Sequence, residues 1–416
     1  MMPTSLSGTL RLGLAVFLVG CGSAASDAPA PPTVTALASP AGEGSGEPFL
    51  SSAGDAVWMS WLEELPADAG HALRVSRFEE GAWSPPLQVA AGDRFFVNWA
   101  DFPSVVADPE GRLWAHWLER GDAGGYDYGI RVVHSDDQGA TWSAPWTPHE
   151  DGTPQEHGFV TIRPTGSGVG LVWLDGRRYA GWPAGTEPSR EMTLRYRTTR
   201  GDPSTAGPEV LLDDRACDCC QTDAAVAGDG LVVVYRDRSP DEIRDIAVVR
   251  QVDGAWTEPA IVHADGWEIA GCPVNGPAIV ARGDAVAVAW FTGAGDVPRV
   301  KVAFSEDGGA TFGPPVVVDG GNPAGRVDLL QLQGGAVLVG WLERRAGDGA
   351  EVRVRRVAPD GTLDEPQVVA ASDAARGSGF PRFALRADGT VLAAWTDIED
   401  GGTSRVRTAL LQEIEP

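Results

Sequence analysis

The sequence predicts an all-β fold built from repeated four-stranded units, and three observations support this prediction. Each unit contains a run in which apolar residues alternate with small or polar ones, as in Val286–Trp290, and this is the pattern of a strand. Strand-like runs also precede and follow it, separated by polar or glycine-containing turns. The central run ends each time on an aromatic anchor, and the anchors are Trp61, Trp117, Trp173, Tyr235, Trp290, Trp341 and Trp395.

The spacing of these anchors indicates a ring of similar units. Successive anchors lie 56, 56, 62, 55, 51 and 54 residues apart, and four strands in about 50 residues are typical of one β-propeller blade. Seven sets of first, second and third strands can be counted, but only six complete fourth strands. The run Thr33–Leu37 resembles a spare fourth strand, and pairing it with the C-terminal unit would leave no bare edge. The sequence favours seven antiparallel blades, or six if one unit is degenerate.

The N-terminal segment is interpreted as an export signal rather than as part of the fold. Residues 1–20 carry one charge, Arg11, followed by an apolar stretch that is too short to span a membrane as a helix. Leu18–Cys21 resembles a bacterial lipobox, which implies cleavage before Cys21 and lipidation of its thiol; the alternative is an ordinary signal peptide cut elsewhere. Residues 21–32 then form a flexible tether and residues 33–416 the propeller. We therefore expect a lipoprotein of the cell envelope that faces the periplasm or the exterior.

The charge of the chain limits its partners. The formal net charge is −25, which argues against nucleic acid or an anionic membrane face as a partner. The expected contacts are a membrane, through the lipid anchor, and a glycan or small anionic ligand. We expect a monomer.

The topology of a propeller predicts which loops share a face. Because strands within a blade are antiparallel, the loops between blades and the loops from second to third strands open on one face, called here the site face. Arginine fits carboxylate ligands by geometry, and paired carboxyl groups cleave glycosidic bonds. The binding candidates on the site face are Arg177, Arg236, Arg238, Asn275, Arg326 and Arg382. The candidate catalytic carboxyl groups are Glu119, Asp175, Asp237 and Glu343.

Two turns on the opposite face carry a shared motif. Residues 135–142 and 305–312 both fit Ser-x-Asp-x-Gly-x-Thr followed by an aromatic residue, in which Asp and Gly favour a tight turn. This motif is the Asp-box, or bacterial neuraminidase (BNR) repeat, and through it the chain resembles the sialidase-like propellers. The resemblance extends over the chain after the tether as architecture and says little about catalysis.

Sialidase chemistry fits the sequence less well than the sialidase-like fold does. The resemblance implies an arginine cluster, an acid/base carboxyl group and a tyrosine nucleophile late in the domain. The Arg-Ile-Pro signature is absent, and no tyrosine follows Tyr235; Tyr179 could serve only from a different blade. Exo-sialidase activity is therefore an alternative rather than the leading prediction.

The remaining cysteines form an unusual pattern in two neighbouring between-blade loops. They are Cys217, Cys219, Cys220 and Cys272. In an exported protein the simplest interpretation is disulfides, although the close spacing of the first three makes clean pairing awkward. The alternatives are a copper or zinc ion held by thiolates, or a redox pair. All of them require the four sulfurs to lie close together. The segments around them resemble those of exported bacterial sialidase-like proteins, and this resemblance brings no assigned reaction.

The sequence leaves three functional hypotheses. The first is a module that binds an acidic glycan or small anionic ligand at the channel mouth. The second is a sialidase or another glycoside hydrolase or lyase. The third is a metal or redox protein built on the cysteines.

Overall fold

A computed structural model of the chain describes residues 33–416, apart from positions 167, 348, 400, 413, 415 and 416, together with Met1 and Gly8. The predicted signal, Cys21 and the tether lie outside the described residues, apart from Met1 and Gly8. The described strands all belong to the unit Pro31–Pro416. Among the described residues, no helix is both long and apolar enough to cross a membrane.

The described chain is almost entirely β-structure. Its first strands are β1 (Thr33–Leu37), β2 (Ser45–Ala53), β3 (Ala56–Glu64), β4 (His71–Glu79), β5 (Ala82–Trp83), β6 (Leu87–Gly92), β7 (Ser104–Ala107), β8 (Leu113–Arg120), β9 (Tyr128–Ser135) and β10 (His157–Thr165). The middle strands are β11 (Gly168–Asp175), β12 (Met192–Thr199), β13 (Val210–Ala216), β14 (Asp223–Ala227), β15 (Gly230–Arg236), β16 (Ile246–Val252), β17 (Ala255–Trp256), β18 (Ala260–His263), β19 (Ala278–Arg282) and β20 (Ala285–Thr292). The last strands are β21 (Arg299–Ser305), β22 (Val316–Val317), β23 (Pro323–Gln331), β24 (Val337–Arg344), β25 (Gly349–Val357), β26 (Gln367–Asp373), β27 (Arg382–Leu385), β28 (Val391–Ile398) and β29 (Ser404–Gln412). Short 3₁₀ turns occupy Pro66–Asp68, Arg177–Ala180, Pro203–Thr205, Ala294–Asp296, Gln333–Gly335 and Arg376–Ser378.

These strands form a seven-bladed β-propeller, which confirms the predicted fold class. The blades, each an antiparallel sheet, are β2–β6, β7–β9, β10–β13, β14–β18, β19–β22, β23–β26 and β27–β29 with β1. The second blade has three regular strands, and its outer edge is reduced to a bridge between Trp146 and Val132. The seventh blade closes as predicted, because β1 pairs with β29 from Thr33 opposite Gln412 to Leu37 opposite Thr408.

The seven aromatic anchors occupy the second strand of every blade. Each is at most 9% exposed, and the core clusters join the facing sides of adjacent blades. Trp290 of the fifth blade, for example, packs in one cluster with Val232 and Val234 of the fourth. The apolar core therefore lies between the blades and makes the ring rigid.

Three first strands begin with the same irregularity. In β2, β10 and β23 the register shifts after Gly46, Gly158 and Gly325. The next residues, Glu47, Phe159 and Arg326, have φ values of 51°, 52° and 58°, which non-glycine residues rarely adopt. These bulges change the direction of the side chains that lie at the site-face end of the first strands.

The two Ser-x-Asp-x-Gly-x-Thr turns are stabilised by hydrogen bonds within each turn. Asp137 accepts hydrogen bonds from the Ser135 hydroxyl at 2.8 Å and from the Thr141 amide at 2.8 Å and hydroxyl at 2.6 Å. Asp307 repeats this pattern with its own serine and threonine. Ser135 pairs with Leu113 at the beginning of β8, at the opposite strand end from the site face. The turns therefore stabilise the far face.

Candidate functional site

The site face is held together by bonds between the loops that precede first strands and those that follow second strands. The Cys217 amide donates to the Arg236 carbonyl at 2.9 Å, and the Gly176 amide donates to the Glu156 carbonyl at 2.8 Å. Each bond ties the loop that enters a blade to the end of the second strand of the same blade, in the third and fourth blades.

The structure brings the four cysteines together. The Cys217 sulfur lies 3.8 Å from that of Cys219 and 3.5 Å from that of Cys220, and the three lie within 4.8 Å of one another. The sulfurs of Cys219 and Cys272 and a carboxyl oxygen of Asp218 form a second such group. All four are free thiols. Cys217 and Cys220 are buried, Cys219 is half-buried and Cys272 is exposed.

Charge and hydrogen bonding favour ionisation of Cys217. Burial raises the pKa of its thiol, but hydrogen bonds from Cys219 and Cys220 and the charges of Arg244 and Arg236 outweigh burial and hold the pKa well below its usual range. Its sulfur lies 3.1 Å from Nη1 of Arg244. Cys217 is therefore the thiol of the buried triangle for which the ionised form is most favoured.

A second group on the site face joins two carboxyl groups through one phenol. The Tyr128 hydroxyl lies 2.6 Å from Oε1 of Glu156 and 3.0 Å from Oδ2 of Asp101. Burial raises the pKa of Glu156 to about 8, helped by the charges of Asp101, Asp218 and Cys272 and opposed by the Tyr128 hydrogen bond. Burial also raises the pKa of Asp101 to about 7, although hydrogen bonds from Phe159 and Tyr128 lower it.

The proton positions in this group follow from its donors. A phenol has one proton, so it cannot donate to two ionised carboxylates at once. Asp101 also accepts the Phe159 amide at 2.7 Å, so it is the partner best suited to carry the charge. Glu156, whose pKa burial raises to about 8, is then the carboxyl group that more readily keeps its proton at neutral pH. Glu156 is the only half-buried member, because Asp101 and Tyr128 are 2% and 1% exposed.

A surface pocket of about 560 Å³ lies beside Glu156. It is lined by Tyr179, Pro188, Ser189, Arg190, Asp218 and Arg238. Burial, followed by the charges of Asp218 and Glu156, raises the pKa of the Tyr179 phenol above its usual range.

Two arginines in this pocket differ in their availability. Arg238 is paired with Glu242 at 2.7 Å and donates to the Arg190 carbonyl at 3.0 Å. The exposed Arg190 guanidinium makes no hydrogen bond or ion pair with the described residues. Arg190 is therefore the cation in the pocket that is available to a ligand.

The central channel forms a separate cavity of about 300 Å³, lined mainly by the first strands. The Arg382 guanidinium sits over the rings of Phe102 and Phe49, at 4.5 and 5.3 Å, and its Nη1 lies 3.5 Å from Asp328. Burial raises the pKa of Asp328 to about 6, partly offset by Arg382. Arg382 therefore belongs to the channel rather than to the Tyr179 pocket.

Arg177 lies in a buried ionic network. Its Nε and Nη2 reach Asp175 at 2.7 and 2.6 Å, its Nη2 also reaches Asp151 at 3.2 Å, and its Nη1 reaches Glu209 at 2.8 Å. His157 contacts Asp151 at 3.0 Å and stacks on His149. All three guanidinium nitrogens of Arg177 thus have carboxylate partners within the protein, so Arg177 is not available to bind a ligand.

Three other predicted binding residues hold the site-face loops in place. Arg236 donates to the carbonyls of Asn275, Arg244 and Phe291. The Asn275 side chain accepts the Arg326 amide at 2.6 Å and donates to Pro273 and Ala324. Arg326 in turn donates to Ser378 and to the carbonyls of residues 374, 375 and 379.

The four predicted catalytic carboxyl groups lie in four different blades. Asp175 and Glu343 accept the indole N–H of the anchors Trp173 and Trp341, at 2.9 and 2.6 Å. Glu119 pairs with Arg131 at 3.2 Å. Asp237 is half-buried, and burial raises its pKa to about 6. No hydrogen bond or ion pair joins any two of these four residues. In Asp175 and Glu343 the acidic residue two positions after a tryptophan anchor thus accepts a hydrogen bond from its buried indole.

Among the comparisons with known proteins, only the comparison of structures finds matches. No protein-family model matches the chain, and no curated protein sequence matches it. The BP39L lectin from Burkholderia pseudomallei aligns over 84% of this chain and 95% of its own, with 13% identity and a TM-score of 0.54. The polysaccharide lyase Uly1 aligns over 87% and 89%, with 11% identity and a TM-score of 0.50. A Penicillium chrysogenum alpha-L-arabinanase complexed with arabinobiose aligns over 93% and 99%, with 12% identity and a TM-score of 0.49.

At these identities the likeness shows a shared fold. The neighbours named above are glycan-acting enzymes or a lectin, while the sialidase-like subgroup stays a prediction.

Sequence reasoning missed Arg190, Asp218 and Tyr128 as site residues. For Arg190 one signal was present, namely the length of its segment. The longest interval between anchors, 62 residues, separates Trp173 from Tyr235. It contains the extended loop between β11 and β12, and long loops on a rigid scaffold often carry function. Tyr128 begins a third strand and gave no signal distinct from a packing aromatic.

Proposed function

We propose that this protein binds an acidic glycan in the pocket lined by Tyr179, Arg190 and Arg238 on the site face. The observation that carries the proposal is the unpaired guanidinium of Arg190 in a pocket of about 560 Å³. A free guanidinium binds carboxylates through two parallel hydrogen bonds. Pockets of about 300–1,000 Å³ hold small ligands, so a few sugar residues fit the available space.

The composition of the pocket supports a sugar rather than a simple anion. Tyr179 offers an aromatic ring with a hydroxyl, and Asp218 and Ser189 offer acceptors and a donor for sugar hydroxyl groups. A small inorganic anion would be repelled by the Asp218 carboxylate and would not use the Tyr179 ring or the Ser189 hydroxyl. The shared fold of a lectin and a polysaccharide lyase is consistent with this proposal.

Glycan cleavage is a second candidate function, favoured by the half-buried Glu156. A carboxyl group that stays protonated at neutral pH can act as a general acid, and Glu156 has this property beside the pocket. We do not extend the proposal to exo-sialidase activity, since Arg177, Arg236 and Arg326 are occupied by internal partners. Under this candidate, Glu156→Gln should keep glycan binding and lose product formation.

We propose that the propeller acts outside the cytoplasm, attached to a bacterial membrane through Cys21. The support is the lipobox-like Leu18–Cys21 and the tether that follows it. Cys21→Ser should release the protein into the soluble fraction without changing its folding, because the composition of residues 22–32 is typical of a flexible linker. Membrane association of this variant after a high-salt wash would contradict the anchor.

A binding screen tests the pocket. The probes are oligogalacturonate, oligomannuronate and heparosan oligosaccharides, with neutral oligosaccharides of similar length for comparison. Wild type should bind at least one acidic oligosaccharide, and Arg190→Gln should weaken it by about tenfold or more, since hydrogen bonds to charged groups contribute about 1.5–3 kcal/mol.

The matched control is Arg282→Gln. Arg282 is an exposed arginine at the far end of β19, on the opposite face, and its replacement should leave binding unchanged. Equal affinities of wild type and Arg190→Gln for every probe would refute the proposed pocket.

A further inference from the structure

The sulfurs of Cys217, Cys219 and Cys220 form a compact triangle. Two of its sides are 3.8 and 3.5 Å, and all three sulfurs lie within 4.8 Å of one another. A disulfide would bring two sulfurs to about 2.05 Å. Three sulfurs bound about 2.3 Å from one ion in a trigonal arrangement are separated by about 4.0 Å. The spacing therefore matches a triangle of thiolates around one ion.

The triangle is fixed by the backbone of neighbouring segments. Cys217 directly follows β13, and its amide donates to the Arg236 carbonyl at 2.9 Å. The Cys220 sulfur accepts the Asn275 amide at 3.4 Å. Cys217 and Cys220 are 1% and 2% exposed. The sulfurs are thus placed by the fold of two adjacent blades, without requiring a ligand to order them.

The charges around the triangle favour bound thiolates. Arg236 is 1% exposed and donates only to backbone carbonyls, so among the described residues it has no carboxylate partner. A buried charge without a counter-charge is costly, and thiolates next to Arg236 supply one. Arg244, which also pairs with Glu242 and Asp218, lies 3.1 Å from the Cys217 sulfur.

Cys272 occupies a different position from the other three. Its sulfur forms a group with Cys219 and Asp218, and it is exposed. Cys219 belongs to both groups and is half-buried. An ion arriving from solvent would meet Cys272 first and then reach the buried triangle through Cys219.

We propose that Cys217, Cys219 and Cys220 bind one copper(I) ion through three sulfurs, with Cys272 as the ligand from which the ion is loaded. Soft thiolate ligands select copper(I) or zinc, and structural zinc takes four ligands. Copper(I) accepts three sulfurs, and Arg236 and Arg244 offset part of the resulting negative charge of three thiolates with one monovalent cation. This site is independent of the proposed glycan pocket, although Asp218 borders both.

Anaerobic titration of the reduced protein with copper(I), against a chromophoric copper(I) chelator, tests the site. Wild type should bind one copper(I) per chain, and X-ray absorption should show three sulfur ligands near 2.3 Å. Cys219→Ser should weaken binding by more than the roughly 10–100-fold that loss of a supporting residue costs. Unchanged melting temperature of the metal-free variant shows that it folds.

Cys272→Ser serves as the matched control. It should still bind one copper(I) per chain, but it should load more slowly from a copper(I)–glutathione donor. The proposal is overturned if wild type binds no copper(I), if X-ray absorption shows a nitrogen ligand or four sulfurs, or if Cys219→Ser binds as tightly as wild type. Displacement of copper(I) by an equal concentration of zinc would also overturn it. Because these readouts involve no glycan, failure here leaves the proposed function untouched.

Discussion

At the level of single residues, burial and donor count decide which carboxyl group of the site face keeps its proton. Tyr128 can donate to only one of its two carboxyl neighbours, and Asp101 has a second donor in the Phe159 amide. Glu156, with its pKa raised to about 8 mainly by burial, is therefore neutral at pH 7. Among the described residues the Arg190 guanidinium has no partner, whereas all three guanidinium nitrogens of Arg177 have carboxylate partners.

This protonation state predicts a pH-dependent effect of Glu156→Gln. A carboxyl group whose pKa is raised by folding binds more protons folded than unfolded, so its contribution to stability falls as pH rises from about 4.5 to about 8. Glutamine keeps the neutral hydrogen bond to Tyr128 and removes the cost of ionisation. The variant should match wild type near pH 5 and be more stable near pH 9 by up to a few kcal/mol, one pKa unit being about 1.4 kcal/mol.

Melting temperatures of the two proteins from pH 5 to 9 check this prediction. Glu258→Gln, which changes an exposed carboxyl group between β17 and β18, is the control and should follow the wild-type profile. A gap between wild type and Glu156→Gln that does not grow with pH would show that Glu156 is ionised throughout.

At the level of elements, the strands were predictable and the site was not. The anchors and the closing strand β1 repeat one local pattern seven times, so alternation and spacing were sufficient to place them. Several partners of Arg177 and Arg236, such as Glu209 and the Asn275 carbonyl, come from loops that are distant in sequence. No local pattern encodes them, because pairing depends on how neighbouring blades pack.

The second-strand anchors should carry much of the stability of each blade. Trp290 is 1% exposed, packs between two blades and donates its indole N–H to Asp265 at 2.7 Å. Trp290→Ala should lower the free energy of unfolding by about 3–5 kcal/mol, since it leaves a cavity between two blades and removes the indole donor to Asp265. Val317→Ala, at a 43% exposed position in the same blade, should change it by less than about 0.5 kcal/mol. Urea unfolding measures both, and similar small effects would contradict an interblade core.

At the level of the whole molecule, a strongly acidic propeller buries carboxyl groups near its channel and site face. Burial raises the pKa of Glu47 and Asp101 to about 7 and of Asp328 and Asp237 to about 6. Folding therefore favours their protonated forms, and the net charge of −25 adds repulsion as pH rises.

The melting temperature should consequently be highest near pH ~5 and fall toward pH ~8. Below pH ~4 the carboxyl groups with lowered pKa values dominate the pH dependence of stability. Hydrogen bonds lower the pKa of Asp137 and Asp307 to about 2, and the stability that these bonds contribute is lost on acidification. The buried His116, whose pKa burial lowers to about 3, also disfavours folding below its usual pKa, but the carboxyl groups with raised pKa values oppose this single group. A melting temperature that rises steadily from pH 5 to 8 would contradict this balance.

The central claim is that Arg190 binds the carboxylate of a glycan in the pocket beside Tyr179. Calorimetric titration of an acidic oligosaccharide and its carboxyl-reduced form, into wild type and Arg190→Gln, tests this claim as a thermodynamic cycle. The account predicts that carboxyl reduction weakens binding to wild type by about tenfold or more, and has little effect on the already weakened variant. An equal loss in both proteins would mean that the carboxylate binds elsewhere and would contradict the account.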